Sequence, residues 1–256
     1  TRDEPRADFP GLCGIVPGSG RPEDDGREGG QSAVGDIFNW MASKLTPAGY
    51  TARGDVHANL TAEAAALRPG ESGLLALDWN NGNRTVLVNP NLTGLLVGQT
   101  LHTTAAEVYR AMIEATAFGA LTIIKRFEEY GVAIKQVVNC GGIAEKNPFV
   151  MQVYADVCTR PMAISRSAQT CALGAAIFGA VVGGAYKSVS AAQRRMTGVK
   201  PTVLRPRKEA AAVYGAWYEL YRMLHDAFGV QGHAATLDSV MPRLMAIRAS
   251  QRRRGG

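Results

Sequence analysis

Val137-Val138-Asn139-Cys140-Gly141-Gly142-Ile143-Ala144-Glu145-Lys146-Asn147-Pro148 is the stretch that decides the fold. Residues 136–140 form a short apolar run with the β-branched content of a strand, and Gly141 and Gly142 break it. Asn147 before Pro148 then signals a helix start, since asparagine caps free N–H groups and proline costs nothing in the first turn. Val150, Val153, Tyr154 and Val157 continue at helical spacing. Thr159-Arg160-Pro161 ends that helix, and residues 162–165 read as another strand. Strands alternating with helices predict an α/β fold.

Outward from this unit, residues 105–130 predict a long helix, with Val108, Met112, Ala115, Gly119, Ile123 and Phe127 on one face. Before it, residues 74–79 and 85–88 predict two strands around the turn Asn80-Asn81-Gly82-Asn83-Arg84. A further helix is predicted from Gly30-Gln31-Ser32, carrying Val34, Ile37, Phe38 and Met41, and residues 42–73 predict short helices and loops. The first 30 residues are rich in Gly, Pro and charge, with one extended run at 12–16. Downstream, Thr170 is expected to cap an apolar helix at 171–182. The uncharged stretch 167–186 is too short in its apolar part to span a bilayer, so a buried helix is expected. Residues 210–228 predict an amphipathic helix through Val213, Trp217, Leu220 and Leu224.

The 256 residues are 46% hydrophobic and 20% charged, which excludes a disordered chain or a fibrous rod. The net charge is +6, and Arg243, Arg248, Arg252, Arg253 and Arg254 account for most of it. These arginines have no acidic neighbours in sequence and no interleaved aromatics, so a frayed, solvated tail is expected rather than a nucleic-acid arm. Cys13, Cys140, Cys158 and Cys171 form no C-x-x-C pair, which argues against structural zinc and favours a reducing, cytoplasmic setting. No membrane partner is expected.

The two glycines after residue 140 offer backbone that a ligand can approach, with a helix start following. A flat base or phosphates suit such a turn, although the same residues also make an ordinary strand-to-helix connection. The turn is neither a G-x-G-x-x-G fingerprint nor a G-x-x-x-x-G-K-[ST] loop.

Taken together, 140–147, Val150-Met-Gln-Val-Tyr-Ala-Asp156, Arg160-Pro161 and Ala172-Leu-Gly-Ala-Ala176 resemble the ATP-binding end of the FGGY carbohydrate kinases. Gly30-Gln-Ser-Ala-Val-Gly-Asp-Ile-Phe38 with Trp40, Asp78-Trp-Asn-Asn-Gly-Asn-Arg84, Leu101-His-Thr-Thr104 and residues 221–229 extend the resemblance over almost the whole chain. It implies an actin-like, ribonuclease-H-like domain that closes on a partner domain around MgATP and a sugar. Gly141 and Gly142 would lie against the adenine, Asn147 would hydrogen-bond the nucleotide, and Gly30, at the start of its helix, would lie near it. The family spacing from glycine to asparagine is often one residue shorter.

Glu28 matches a glutamate that holds ribulose hydroxyls in part of the family. A carboxylate, which accepts O–H bonds, suits that role. The charged segment 21–27 departs from the aromatic segment usual there.

The resemblance further implies that the family's catalytic aspartate and Gly-Thr-Ser phosphate loop precede Thr1. The chain is therefore expected to be N-terminally incomplete, to lack its first strands and to hold no catalytic residue or metal ligand. Residues 1–205 would form the ATP-binding domain, and residues 206–256 a helical extension with a basic tail. The missing N-terminal kinase domain and a second copy of the chain are the expected protein partners. The whole enzyme would phosphorylate the 5-hydroxyl of L-ribulose. Another ketose or polyol, or nucleotide binding without catalysis, are the alternatives.

Asp36 reads as helix-start charge, Asp156 as a surface helix residue, and Lys146 as solvated. His102 and His225 read as packing or surface residues. Gly174 and Gly179 read as permitting close helix packing.

Overall fold

The computed structural model describes residues 9–19 and 24–254. Part of the charged segment 21–27 lies outside them. The elements run β1 (Cys13–Pro17), β2 (Asp25–Glu28), α1 (Gly35–Trp40, passing into a π-helical turn at Met41–Leu45), α2 (Ala48–Thr51), α3 (Val56–Ala66), β3 (Leu75–Leu77) and β4 (Leu95–Val97). Then follow α4 (Ala105–Glu129), β5 (Val137–Asn139), α5 (Gly142–Lys146), α6 (Pro148–Cys158), β6 (Met162–Ile164), α7 (Thr170–Val182), α8 (Val189–Met196), α9 (Lys208–Gly229) and α10 (Val240–Arg253).

The strands pair two by two. β1–β2 and β3–β4 are antiparallel, and β5–β6 is the parallel pair that encloses α6. Leu204 exchanges backbone hydrogen bonds with Met162 on β6, so the far edge of β6 is partly covered. β5 has no second strand beside it among the described residues, and Val138 is 47% exposed.

α4 is the centre. Its start is fixed by a capping box, in which Glu107 N–H donates to Thr104 Oγ1 at 3.2 Å and Thr104 N–H donates to Glu107 Oε2 at 2.8 Å. α3, α6 and β3 all pack on it, so nearly every residue from Ala106 to Leu121 is buried, not only the predicted face. Burial on all sides brings in polar groups, which must then find partners. Arg110 Nε donates to Glu114 Oε1 at 2.8 Å, Nη1 to the Ala64 carbonyl at the end of α3, and Nη2 to Tyr214 Oη on α9 at 2.9 Å. One guanidinium thus joins three helices. Tyr214, Trp217, Leu220, Tyr221 and Leu224 of α9 enter the same core as Ile113, Phe118 and Val153.

Several expectations need correction. The chain is not helical at Gly30; α1 begins at Gly35, because Gly30 and Ser32 are hydrogen-bonded to the turn that follows β3. Residues 85–88 form no strand. Reciprocal bonds of 2.9 and 2.8 Å between the backbones of Asn83 and Asn89 fold that segment into a loop, and β3 pairs with β4 instead. Thr170 is the first residue of α7, not its cap, and Gln169 at the cap position makes no side-chain bond.

α7 is not a buried helix either. Ile177 is its one buried residue, against Val189 and Ala192 of α8, while Phe178 is 47% and Val182 is 90% exposed. A Cβ at Gly174 or Gly179 would meet nothing within 4 Å, so neither glycine serves close packing.

Asp156 is fully buried rather than on the surface. Its Oδ1 accepts from Arg207 N–H and Gln152 Nε2, and its Oδ2 accepts from Arg207 Nε and Nη2, pinning the start of α9 to α6. The C-terminal arginines are not a frayed tail. All but Arg254, which caps the helix, lie on α10, where Arg248 is buried, Arg252 lies 3.4 Å from Glu107, and Arg243 lies 2.9 Å from Glu219. The partners absent from local sequence are supplied by α4 and α9.

Candidate functional site

Two motifs that are far apart in sequence meet in space. β2 ends at Glu28, and residues 29–32 run alongside the Asn80–Thr85 turn. Gly30 N–H donates to Thr85 Oγ1 at 3.1 Å, Arg84 N–H donates to Ser32 Oγ at 3.0 Å, and Asn81 Nδ2 donates to the Ser32 carbonyl at 3.2 Å. The Arg84 guanidinium pairs with Glu28 Oε1. Both side chains are more than half exposed, so the pair faces solvent.

A buried polar layer anchors this clip from beneath. Gln31 Nε2 donates to Asp78 Oδ2 at 2.7 Å and to the Thr116 carbonyl at 2.8 Å, and Tyr221 Oη donates to Asp78 Oδ1 at 3.0 Å. Burial pushes the Asp78 carboxyl above its ordinary range, against the pull of these two donors. Burial, reinforced by Asp78, raises Tyr221 well above its ordinary value. Next to Tyr221, burial lowers His225, whose Nδ1 lies 2.8 Å from Asp226 Oδ1. Both Asp78 oxygens thus have partners within the enclosed layer, and Asp78 supports the clip.

The glycine turn forms the second part. Gly141 has φ +88°, a conformation costly for any residue with a Cβ. A Cβ at Gly141 or Gly142 would meet no heavy atom within 4 Å, so the backbone there faces open space. Asn147 is partly occupied: Oδ1 caps α6 by accepting from Val150 N–H at 3.1 Å, and Nδ2 donates to Thr61 Oγ1 at 3.3 Å. One amide hydrogen and one carbonyl lone pair of Asn147 remain unused by these two bonds. Lys146 is exposed.

The two parts are linked through Gly35, where a Cβ would lie 3.1 Å from Ile143 Cδ1. The first turn of α1 therefore touches the residue after Gly142. Gln31, Asp78, Arg84 and Thr85 are among the members of this arrangement that sequence reading did not assign to a site. A separate apolar cleft of about 500 Å³, lined by Trp40, Leu45, Leu95, Leu96 and Thr103, contains none of the expected site residues. Among the described residues, no group of three His, Cys, Asp or Glu could hold a metal ion, and no helix is long and apolar enough to cross a membrane.

The fold and these motifs belong to the FGGY family of carbohydrate kinases, whose C-terminal domain matches residues 1–183. Among curated relatives, the ribulokinase of Halalkalibacterium halodurans is 43% identical over 98% of this chain and 45% of its own length. That of Anoxybacillus flavithermus is 47% identical over 86% of this chain and 40% of its own length. The Mycolicibacterium smegmatis ribulokinase is 41% identical over 96% and 44%. The chain thus spans less than half the length of the relatives it matches.

Solved structures share the fold. Xylulose kinase from Rhodospirillum rubrum superposes with a TM-score of 0.70 at 23% identity, over 85% of this chain and 42% of that one. Plasmodium falciparum glycerol kinase with ADP gives 0.66 at 16% identity, over 86% and 43%.

Proposed function

We propose that this chain is the nucleotide-binding and sugar-contacting part of a kinase that transfers the γ-phosphoryl group of ATP to the 5-hydroxyl of L-ribulose. The observation that carries the reading is identity of 41–47% with ribulokinases across most of the chain. Residues 1–205 are assigned to the ATP-binding domain and residues 206–256 to its helical extension. The remaining length of the relatives suggests a sugar-binding N-terminal domain as partner. The free thiols of Cys13, Cys140, Cys158 and Cys171 support a cytoplasmic setting.

The open backbone at Gly141 and Gly142 leaves room for a flat base, and Asn147 can add one N–H donor. Gly30 lies in the clip beside Thr85 and Arg84, and the first turn of α1 connects that clip to the glycine turn through Gly35 and Ile143. Glu28 offers a carboxylate oxygen to sugar hydroxyls. Bound ATP supplies the phosphoryl group. Magnesium would arrive with the nucleotide, held mainly by its phosphates and by water, where it would offset the charge on the transferring group.

A base for the attacking hydroxyl must lie within hydrogen-bond reach of it. Asp78 and Asp156 are enclosed and committed to Gln31, Tyr221 and Arg207, and the chain spans less than half the length of its relatives, so the isolated chain is expected to be inactive. The test is to assay the chain and the complete gene product carrying it with MgATP and L-ribulose. Turnover by the complete product alone supports the reading. Turnover by the isolated chain, or none by either, contradicts it.

A further inference from the structure

We infer that Arg84 is the positioning residue for Glu28, fixing how the carboxylate is presented to the sugar. This rests on Glu28 as the sugar contact. An exposed ion pair contributes little to stability, so the pair needs another explanation, and its setting supplies one. Arg84 is held at its backbone by Ser32, its neighbour Thr85 is held by Gly30, and Asn81 binds the Ser32 carbonyl.

The base of the arginine is therefore fixed on the segment that carries Glu28. From there the guanidinium crosses Gly30, where a Cβ would come within 3.6 Å of Nη1. Its Nη2 engages Glu28 Oε1 and lies 3.9 Å from Cys13 Sγ on β1. Oε2 of Glu28 has no protein donor among the described residues. One oxygen is thus tied and the other is presented. A bound substrate then need not pay to order a long, exposed side chain. Lysine could supply the charge but not the planar fork that reaches Glu28 while lying along Gly30.

The test uses the complete gene product with MgATP and L-ribulose, comparing wild type with Arg84→Ala, Arg84→Lys, Glu28→Gln and the Arg84→Ala/Glu28→Gln double variant. Loss of a charge-assisted contact predicts that Arg84→Ala raises KM for L-ribulose about tenfold, with KM for ATP and Tm unchanged. Arg84→Lys should recover part of the loss. The double variant should be no worse than Glu28→Gln.

A silent Arg84→Ala beside an impaired Glu28→Gln would overturn the inference while leaving the sugar contact in place, as would additive losses in the double variant. A fall in Tm for Arg84→Ala would make the role structural. A silent Glu28→Gln would remove the sugar contact and the inference with it.

Discussion

Gln31 Nε2 and Asp78 Oδ2, 47 positions apart in sequence, lie 2.7 Å apart directly over Gly119 of α4. A Cβ at Gly119 would be 2.4 Å from Asp78 Oδ2 and 2.6 Å from Gln31 Nε2. The bond that anchors the Glu28–Ser32 segment therefore exists because residue 119 has no side chain. Gly119→Ala is expected to destabilise the fold by about 1–3 kcal/mol, the usual cost of overpacking a filled core. Urea denaturation measures it. A neutral or stabilising result, as the better helix propensity of alanine would give alone, would contradict this geometry.

Asp156 joins α6 to the start of α9 through Arg207 and Gln152. Hydrogen bonds to charged groups are worth about 1.5–3 kcal/mol, and the exposed face of Arg207 discounts the pair toward the lower end. Asp156→Ala should lower stability by about 2 kcal/mol by that reckoning. It should also raise hydrogen exchange at residues 207–211 more than in α4. Uniform exchange would mean that α9 is not held at this point.

His225 makes stability depend on pH. Burial holds its pKa below the ordinary value of 6.5, against its bond to Asp226 and with help from Arg222. The unfolded chain therefore binds the proton more readily. Stability is complete above the unfolded pKa and falls as pH drops from there toward the folded value. Tm should decline as pH falls below about 6.5, and this part of the decline should vanish in His225→Asn. An equal decline in that variant would assign it to other groups.

The outer face of α7 carries Cys171, Ala175, Phe178 and Val182 at helical spacing, and Val182 is 90% exposed. Contiguous apolar surface of this kind favours association, and the bare edge of β5 adds a strand that can pair. The isolated chain should self-associate with rising concentration in sedimentation velocity, and Phe178→Glu with Val182→Glu should reduce it. A monomer across the full concentration range would contradict this.

What was legible in the sequence was local. β5, α6 and β6 follow from an apolar run, a glycine break, an Asn-Pro start and a helical stripe, each readable within a few residues. Pairing across a loop was not. Leu95–Val97 completes the β3 hairpin, and nothing within residues 85–88 reveals that Asn83 and Asn89 will close a loop there. Uniform apolarity misled at α7, since hydrophobic content states what a helix can bury and not what this chain places against it.

Asp156 was misread because its partner, Arg207, is 51 positions away. The same holds for the candidate site. Glu28 and the glycine turn were found through resemblance, but Arg84 and Gln31 join the site only through contacts that the fold creates.

The most direct measurement is phosphorylation of L-ribulose, D-xylulose, glycerol and gluconate by the complete gene product carrying this chain, with phosphate position read by ³¹P and ¹³C NMR. The account predicts the highest kcat/KM for L-ribulose and a single product phosphorylated at the 5-hydroxyl. Preference for another of these substrates, or ATP binding without transfer to any of them, would contradict it.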